Sequence, residues 1–151
     1  NAQCVMHLHT PDGQAVSAQA EGLLPLAQTS MLALGFGVGY HDYEGPATDL
    51  DERERLVRDL GDNGVLILRN HGTLTVGSSV GEAFTRMYYL ERSCEIQVRA
   101  GLGSAKLIEP SLTMVERTAE LSAGLLTQLN VNTAWPMILR RADRLFPDYA
   151  D

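Results

Sequence analysis

The sequence predicts an α/β protein with a largely antiparallel sheet covered by helices. Short apolar runs at 2–9 and 64–69 have the length and composition of strands, whereas the chain from residue 79 onwards is dominated by helical spacing. The predicted strands are joined mostly by short, hairpin-like links rather than by long crossover connections. The predicted order is therefore strands, one helix, further strands and then three helices.

Length and charge limit the classes of protein to be considered. A chain of 151 residues fits one domain, and a net charge of −7 without clustered Lys and Arg argues against a nucleic-acid partner. No apolar run reaches the roughly 20 residues of a membrane span, and the first residues lack the features of a signal peptide. We therefore expect a cytoplasmic protein. Because Asn1 opens directly into a strand-like segment, we also expect that an N-terminal portion precedes it.

The first half of the chain alternates strands with loops. The strand at 2–9 is followed by Thr10-Pro11-Asp12-Gly13, whose residues are typical of a turn. The stretch 16–20 has no clear pattern, and 23–34 contains a proline and predicts a loop with a short helix. Alternating glycines at 35–40 predict a strand that another part of the backbone approaches closely.

The middle of the chain predicts one helix and a hairpin. Residues 49–61 have helical spacing, with acidic residues at the start and Gly61 at the end. The buried strand at 64–69 then returns as a hairpin through 73–76, with Gly72 in the tight connection.

The C-terminal half is predicted to be helical. The segment from Ser79 to Glu82 matches a capping box, in which the serine oxygen accepts from the amide three residues on and the glutamate reaches back. A long helix should run from there to about Arg99 and pack through an apolar ladder. Two further helices are predicted at 110–129 and 134–145.

Three histidines form a candidate metal site. His7 and His9 are two residues apart, so on a strand both imidazoles leave the same face, with Cα atoms about 6.6 Å apart. Such a pair alone is more often a hydrogen-bonded, half-buried pair than a ligand set. His71, in Asn70-His71-Gly72, favours the metal-site interpretation. It follows a predicted buried strand, so its side chain can lie at the end of the sheet. Three imidazoles suit zinc with one open position, but also nickel, cobalt or iron.

These motifs resemble a known family. The segments HLHTPDGQAVSAQ, GYHDYEG, LILRNHGTLTVG and GEAFTRMYYLERSCEIQVRA are similar to the class II aldolase and adducin head domain family, especially to its adducin-like branch. The resemblance implies that 1–151 is the C-terminal portion of a single domain with a three-layer α/β/α sandwich. It also implies a homo-oligomer, often a tetramer, and a zinc or other divalent metal ion held by His7, His9 and His71. Tyr40 lies roughly where family enzymes keep a proton-donating tyrosine.

The resemblance leaves two functions open. Family enzymes cleave or form a carbon–carbon bond next to a carbonyl, which implies an aldolase-type lyase acting on a sugar or sugar-phosphate-like small molecule. Their catalytic glutamate precedes the H-x-H strand, whereas the first acidic residue here, Asp12, follows it, so the lyase is expected to be incomplete in this chain. The alternative is a non-enzymatic, adducin-like module for oligomerisation or protein binding.

Overall fold

The computed structural model describes residues 2–45, 51–104 and 106–149 and forms a helix-rich α/β domain. Its elements in chain order are β1 (Cys4–Leu8), α1 (Pro11–Ser17), α2 (Gln28–Leu34), β2 (Val38–His41), α3 (Glu52–Leu60), β3 (Val65–Leu68), β4 (Gly72–Gly77), α4 (Val80–Gly101), α5 (Leu112–Leu121), α6 (Thr127–Leu129) and α7 (Trp135–Leu145). Two π-helical turns, Ser122–Leu126 and Asn130–Ala134, lie on either side of α6.

The four strands form one mixed sheet in the order β1-β4-β3-β2. Strand β4 is antiparallel to both β1 and β3, whereas β2 is parallel to β3. The predicted hairpin between β3 and β4 and the largely antiparallel sheet are therefore confirmed. The single parallel pair requires a crossover connection, and α3 lies within it.

One face of the sheet packs against α1, α2 and α4 to form the core. Fully buried apolar side chains come from a helix on one side and a strand on the other, as in Val16 of α1, Ile67 of β3 and Leu90 of α4. The apolar ladder predicted for α4 is confirmed, because Met87, Leu90 and Cys94 are all buried.

The opposite face of the sheet is covered only in part by the described residues. Helix α3 packs on β2, where Gly39 admits it: a Cβ at this position would lie 2.5 Å from the carbonyl oxygen of Asp59. The other half of this face is open, and Val5 of β1 is 62% exposed. Helices on both faces give the three-layer α/β/α arrangement that the resemblance implied.

The start of α4 is capped as predicted, with one difference. The Ser79 hydroxyl oxygen accepts a hydrogen bond from the amide of Glu82 at 3.2 Å. The Glu82 carboxylate, however, accepts from the amide of Ser78 at 2.7 Å and from the Ser78 hydroxyl at 2.6 Å. The glutamate therefore reaches one residue further back than the capping box predicts.

The predicted turn after β1 is wrong. Pro11–Ser17 is helical, and Thr10 is its N-cap, with a hydroxyl oxygen that accepts from the amide of Gly13 at 3.0 Å. Thr, Pro and Asp favour turns, but the same three residue types are also favoured at the N-cap, the first position and the first turn of a helix. The helix forms here because it buries the side chain of Val16 in the core.

One other predicted boundary differs from the structure. The strand predicted over 35–40 begins only at Val38, because Gly35 caps α2 and Gly37 has a φ of +74°. The predicted start of α3 at Asp49 lies outside the described residues.

The C-terminal helices pack on the outside of α2 and α4. A Cβ at Gly35 would lie 2.1 Å from the carbonyl oxygen of Ala119 in α5. The indole of Trp135 lies over Gly81 and has its ring centre 5.3 Å from that of Phe84. Within the described parts of the chain, no helix is both long and apolar enough to span a membrane.

Candidate metal centre

The three predicted histidines meet at one end of the sheet, on its open face. His7 lies in β1 opposite Leu74 of β4, and His9 follows β1 directly. His71 lies in the turn between β3 and β4, so the hairpin brings it to the first strand. The turn is shaped by Asn70, which has a φ of 56°, and closed by a hydrogen bond from the His71 amide to the Leu68 carbonyl at 3.0 Å.

The imidazoles are close enough to serve one ion. The ring centres of His7 and His9 are 4.5 Å apart, those of His7 and His71 are 4.9 Å apart, and those of His9 and His71 are 4.7 Å apart. One nitrogen from each ring lies within 4.8 Å of those from the other two. Two ligands at about 2.1 Å from one zinc ion lie at most about 4.2 Å apart, so the spacing of these nitrogens is near that of a ligand set.

The groups around the three histidines favour binding of a cation. The Nδ1–H of His7 donates to the carbonyl oxygen of Thr73 at 2.8 Å, which directs Nε2 towards His9 and His71. A backbone carbonyl in this role is the usual outer partner of a metal-bound imidazole. Burial lowers the pKa of His71, and the electrostatic interaction with His7 and His9 lowers it further, whereas Glu52 acts in the opposite direction. A neutral imidazole is the form that binds a metal.

The donor set therefore fits a divalent transition metal. Three imidazole nitrogens on an open surface leave room for a further ligand, as in catalytic zinc sites. His7 and His9 are exposed, so an ion can reach them from solvent. The chemistry of the set agrees with zinc, and equally with the other metals that imidazole binds well.

Tyr40 is not brought to the histidine cluster. Its register partner in β3 is Ile67, which faces the core, whereas His7 and His41 lie on the opposite face. The Tyr40 hydroxyl accepts from the amide of Leu23 at 3.1 Å, and Arg69 stacks on its ring at 4.3 Å. Its role as a proton donor stays a prediction.

Tyr43 is the tyrosine that lies beside the cluster. Its ring centre is 6.4 Å from that of His71, and the side chain is exposed. The sequence could have indicated Tyr43. If the strand pattern is continued past His41, residues 41 and 43 fall on one face of the sheet and Tyr40 falls on the other. Within the segment GYHDYEG, the resemblance singled out Tyr40 rather than Tyr43.

The chain matches the family model described as "Class II Aldolase and Adducin N-terminal domain" over residues 1–98. It is 50% identical to mouse (Mus musculus) alpha-adducin over 100 residues, which cover 66% of this chain and 13% of that protein. The chain spans 58% of the length of the first curated bacterial relatives that it matches.

Two solved structures share the fold. A structure described as an aldolase II superfamily protein from Pseudomonas syringae has a TM-score of 0.90 and 46% sequence identity, covering 99% of this chain and 60% of that one. L-fuculose 1-phosphate aldolase from Glaciozyma antarctica has a TM-score of 0.74 and 21% identity, covering 95% of this chain and 54% of the enzyme. At that identity the second comparison concerns the fold alone.

Proposed function

The chain belongs to the class II aldolase and adducin family, and from this membership we propose that it forms the metal-binding part of an aldolase-type lyase. The proposed substrate is a small sugar or sugar-phosphate-like carbonyl compound. The observation that carries the proposal is the meeting of His7, His9 and His71 on an open face of the sheet.

The proposed roles follow from the geometry of the side chains. His7, His9 and His71 would hold the ion, and zinc bound there would supply a Lewis acid for an oxygen that becomes negative as the carbon–carbon bond breaks. The Thr73 carbonyl holds the His7 ring in its orientation. A proton must also be delivered at the reacting atoms, and Tyr40 and Tyr43 are the two candidates.

The metal and the activity are tested together in the full-length protein. His71→Ala should abolish aldehyde release from a ketose or ketose phosphate and should lower the zinc content by one ion per chain, measured by elemental analysis. Val5→Ala is the matched control, because Val5 is exposed on β1, the strand that carries His7, and offers no ligand atom. The lyase proposal would be disproved if His71→Ala kept full turnover, or if the purified full-length protein contained no metal.

The two tyrosines are separated by a pair of conservative substitutions. If Tyr43 donates the proton, Tyr43→Phe should lower kcat by about 10²–10⁴-fold and leave zinc content unchanged. Tyr40→Phe should then lose only the hydrogen bond that the Tyr40 hydroxyl accepts from the Leu23 amide. The reverse result would assign the role to Tyr40, as the resemblance implied.

The second candidate is a non-enzymatic module, and the 50% identity to mouse alpha-adducin favours it. A glutamate with Gly- and Ser-rich loops upstream of the H-x-H strand in the full-length sequence would support the lyase. A metal-free protein with no lyase activity and a stable oligomer would support the module. For either candidate we propose a cytoplasmic homo-oligomer, with a tetramer as the state to test by analytical ultracentrifugation.

A further inference from the structure

The fourth histidine of the chain lies in a second polar cluster that the proposed lyase does not use. His41 ends β2 on the face covered by α3 and is only 3% exposed. Three carboxylates surround its ring: Glu44 from the segment after β2, and Glu52 and Asp59 from α3. A buried imidazole among carboxylates requires either a proton or a metal ion to balance the charge.

The Nδ1 side of the ring is occupied by Asp59. The distance from His41 Nδ1 to Asp59 Oδ2 is 2.7 Å, which is a hydrogen bond. The other oxygen of this carboxylate, Asp59 Oδ1, accepts from Arg58 Nε at 2.9 Å. The carboxylate is therefore the acceptor in both contacts, and His41 Nδ1 carries the hydrogen. In neutral His41 the lone pair is then on Nε2, and it points at the two glutamates.

The Nε2 atom is buried and has no hydrogen-bond partner among the described residues. It lies 3.6 Å from Glu52 Oε1 and 3.9 Å from Glu44 Oε1, both too long for a hydrogen bond. Ligands that share a tetrahedral ion at about 2.1 Å are about 3.4 Å apart. The three atoms thus have the spacing of a ligand set and lie within 4.8 Å of one another.

We propose that His41 Nε2 and the carboxylates of Glu44 and Glu52 form a second divalent-cation site. Asp59 completes it as the outer carboxylate that fixes the imidazole tautomer, an arrangement found around zinc-binding histidines. One imidazole and two carboxylates suit manganese, zinc or ferrous iron.

Access and charge agree with such a site. Glu44 is one-third exposed, which gives an ion a path from solvent, whereas the His41 end is closed. The Glu44 carboxylate also accepts from Arg55, with Nε at 2.8 Å from Oε1 and 2.9 Å from Oε2. A carboxylate has about four lone-pair sites, so an oxygen that accepts from Arg55 can also bind an ion, and Arg55 orients the carboxylate without being a ligand.

The experiment separates this site from the proposed lyase centre. His7→Ala/His71→Ala in the full-length protein removes the three-histidine set, and Mn²⁺ alone is then titrated and followed by electron paramagnetic resonance. One tightly bound Mn²⁺ per chain is expected to remain. The second site would be overturned if this variant bound neither Mn²⁺ nor zinc while its circular dichroism spectrum stayed unchanged. The charge of the carboxylates around His41 would then be balanced by a proton.

Substitutions in that background identify the ligands. Glu44→Gln and Glu52→Gln should each weaken Mn²⁺ binding by roughly tenfold or more, and the partly exposed Glu44 keeps the test valid if the buried Glu52 variant does not fold. Glu54→Gln is the control, because Glu54 is exposed on the same helix and lies outside the ligand set. Equal weakening by Glu54→Gln, or none in both glutamate variants, would contradict the assignment.

Discussion

Gly72 shows how closely the candidate centre depends on a single backbone contact. A Cβ at Gly72 would lie 2.4 Å from the Leu8 carbonyl oxygen and 3.1 Å from Cδ2 of His9. Gly72→Ala should therefore displace β1 together with His9 and weaken zinc binding by roughly 10–100-fold, measured by calorimetric titration. Gly101→Ala is the control, because nothing lies within 4 Å of a Cβ there. Equal affinity in both variants would contradict this account.

Cys94 gives a second test at the residue scale. Burial raises the pKa of its thiol to about 12, and the charge of Glu91 contributes. Only the thiolate is nucleophilic, so at pH 8 the native protein should be alkylated by iodoacetamide at the half-buried Cys4 and not at Cys94. Mass spectrometry should find both cysteines modified after denaturation. Modification of Cys94 at the rate of Cys4 in native protein would show that the core opens around it.

The two clusters differ in how far the sequence predicts them. His7 and His9 share a strand face by simple alternation, and the Asn-His-Gly turn after a buried strand suggested the third ligand. The cluster around His41 could not be read in the same way, because Asp59 and Glu52 reach it only after α3 packs on β2. A solvated acidic helix has the same sequence pattern.

The capped start of α4 is the clearest test at the scale of an element. Ser79→Ala removes the oxygen that accepts from the Glu82 amide and should lower the free energy of unfolding by about 1 kcal/mol, measured by urea denaturation. Ser104→Ala, at an exposed position after the helix, should change it by less than about 0.5 kcal/mol. Equal stability of both variants would show that the cap contributes nothing.

Helices and strands were predictable where a long periodic pattern met a clear end signal. Helix α4 has both, and its bounds of Val80–Gly101 lie close to those predicted. Helix α1 has only seven residues, too few for periodicity to distinguish it from a turn. The parallel pairing of β2 with β3 also escaped prediction, because the choice of neighbours in a sheet depends on contacts far apart in sequence.

At the scale of the whole molecule, a bound ion should stabilise the fold. The proposed three-histidine site exists only in the folded state, so zinc at about 100 times its Kd should add about 2.7 kcal/mol to the free energy of unfolding. We expect a higher melting temperature with zinc, reversed by a chelator. In His71→Ala the contribution of this site should be absent. An identical zinc-dependent rise in that variant would place the stabilising ion elsewhere.

The position of β1 at the edge of the sheet links this ion to local opening of the chain. Among the described residues, the strand Cys4–Leu8 pairs with β4 alone, so this ladder can open without disturbing β3 or the core helices. Opening would separate His7 and His9 from His71, and a shared ion would have to leave first. Zinc should therefore slow amide hydrogen exchange in β1 more than in β3, and the lifetime of the bound ion should set an upper limit on how often this edge of the sheet frays.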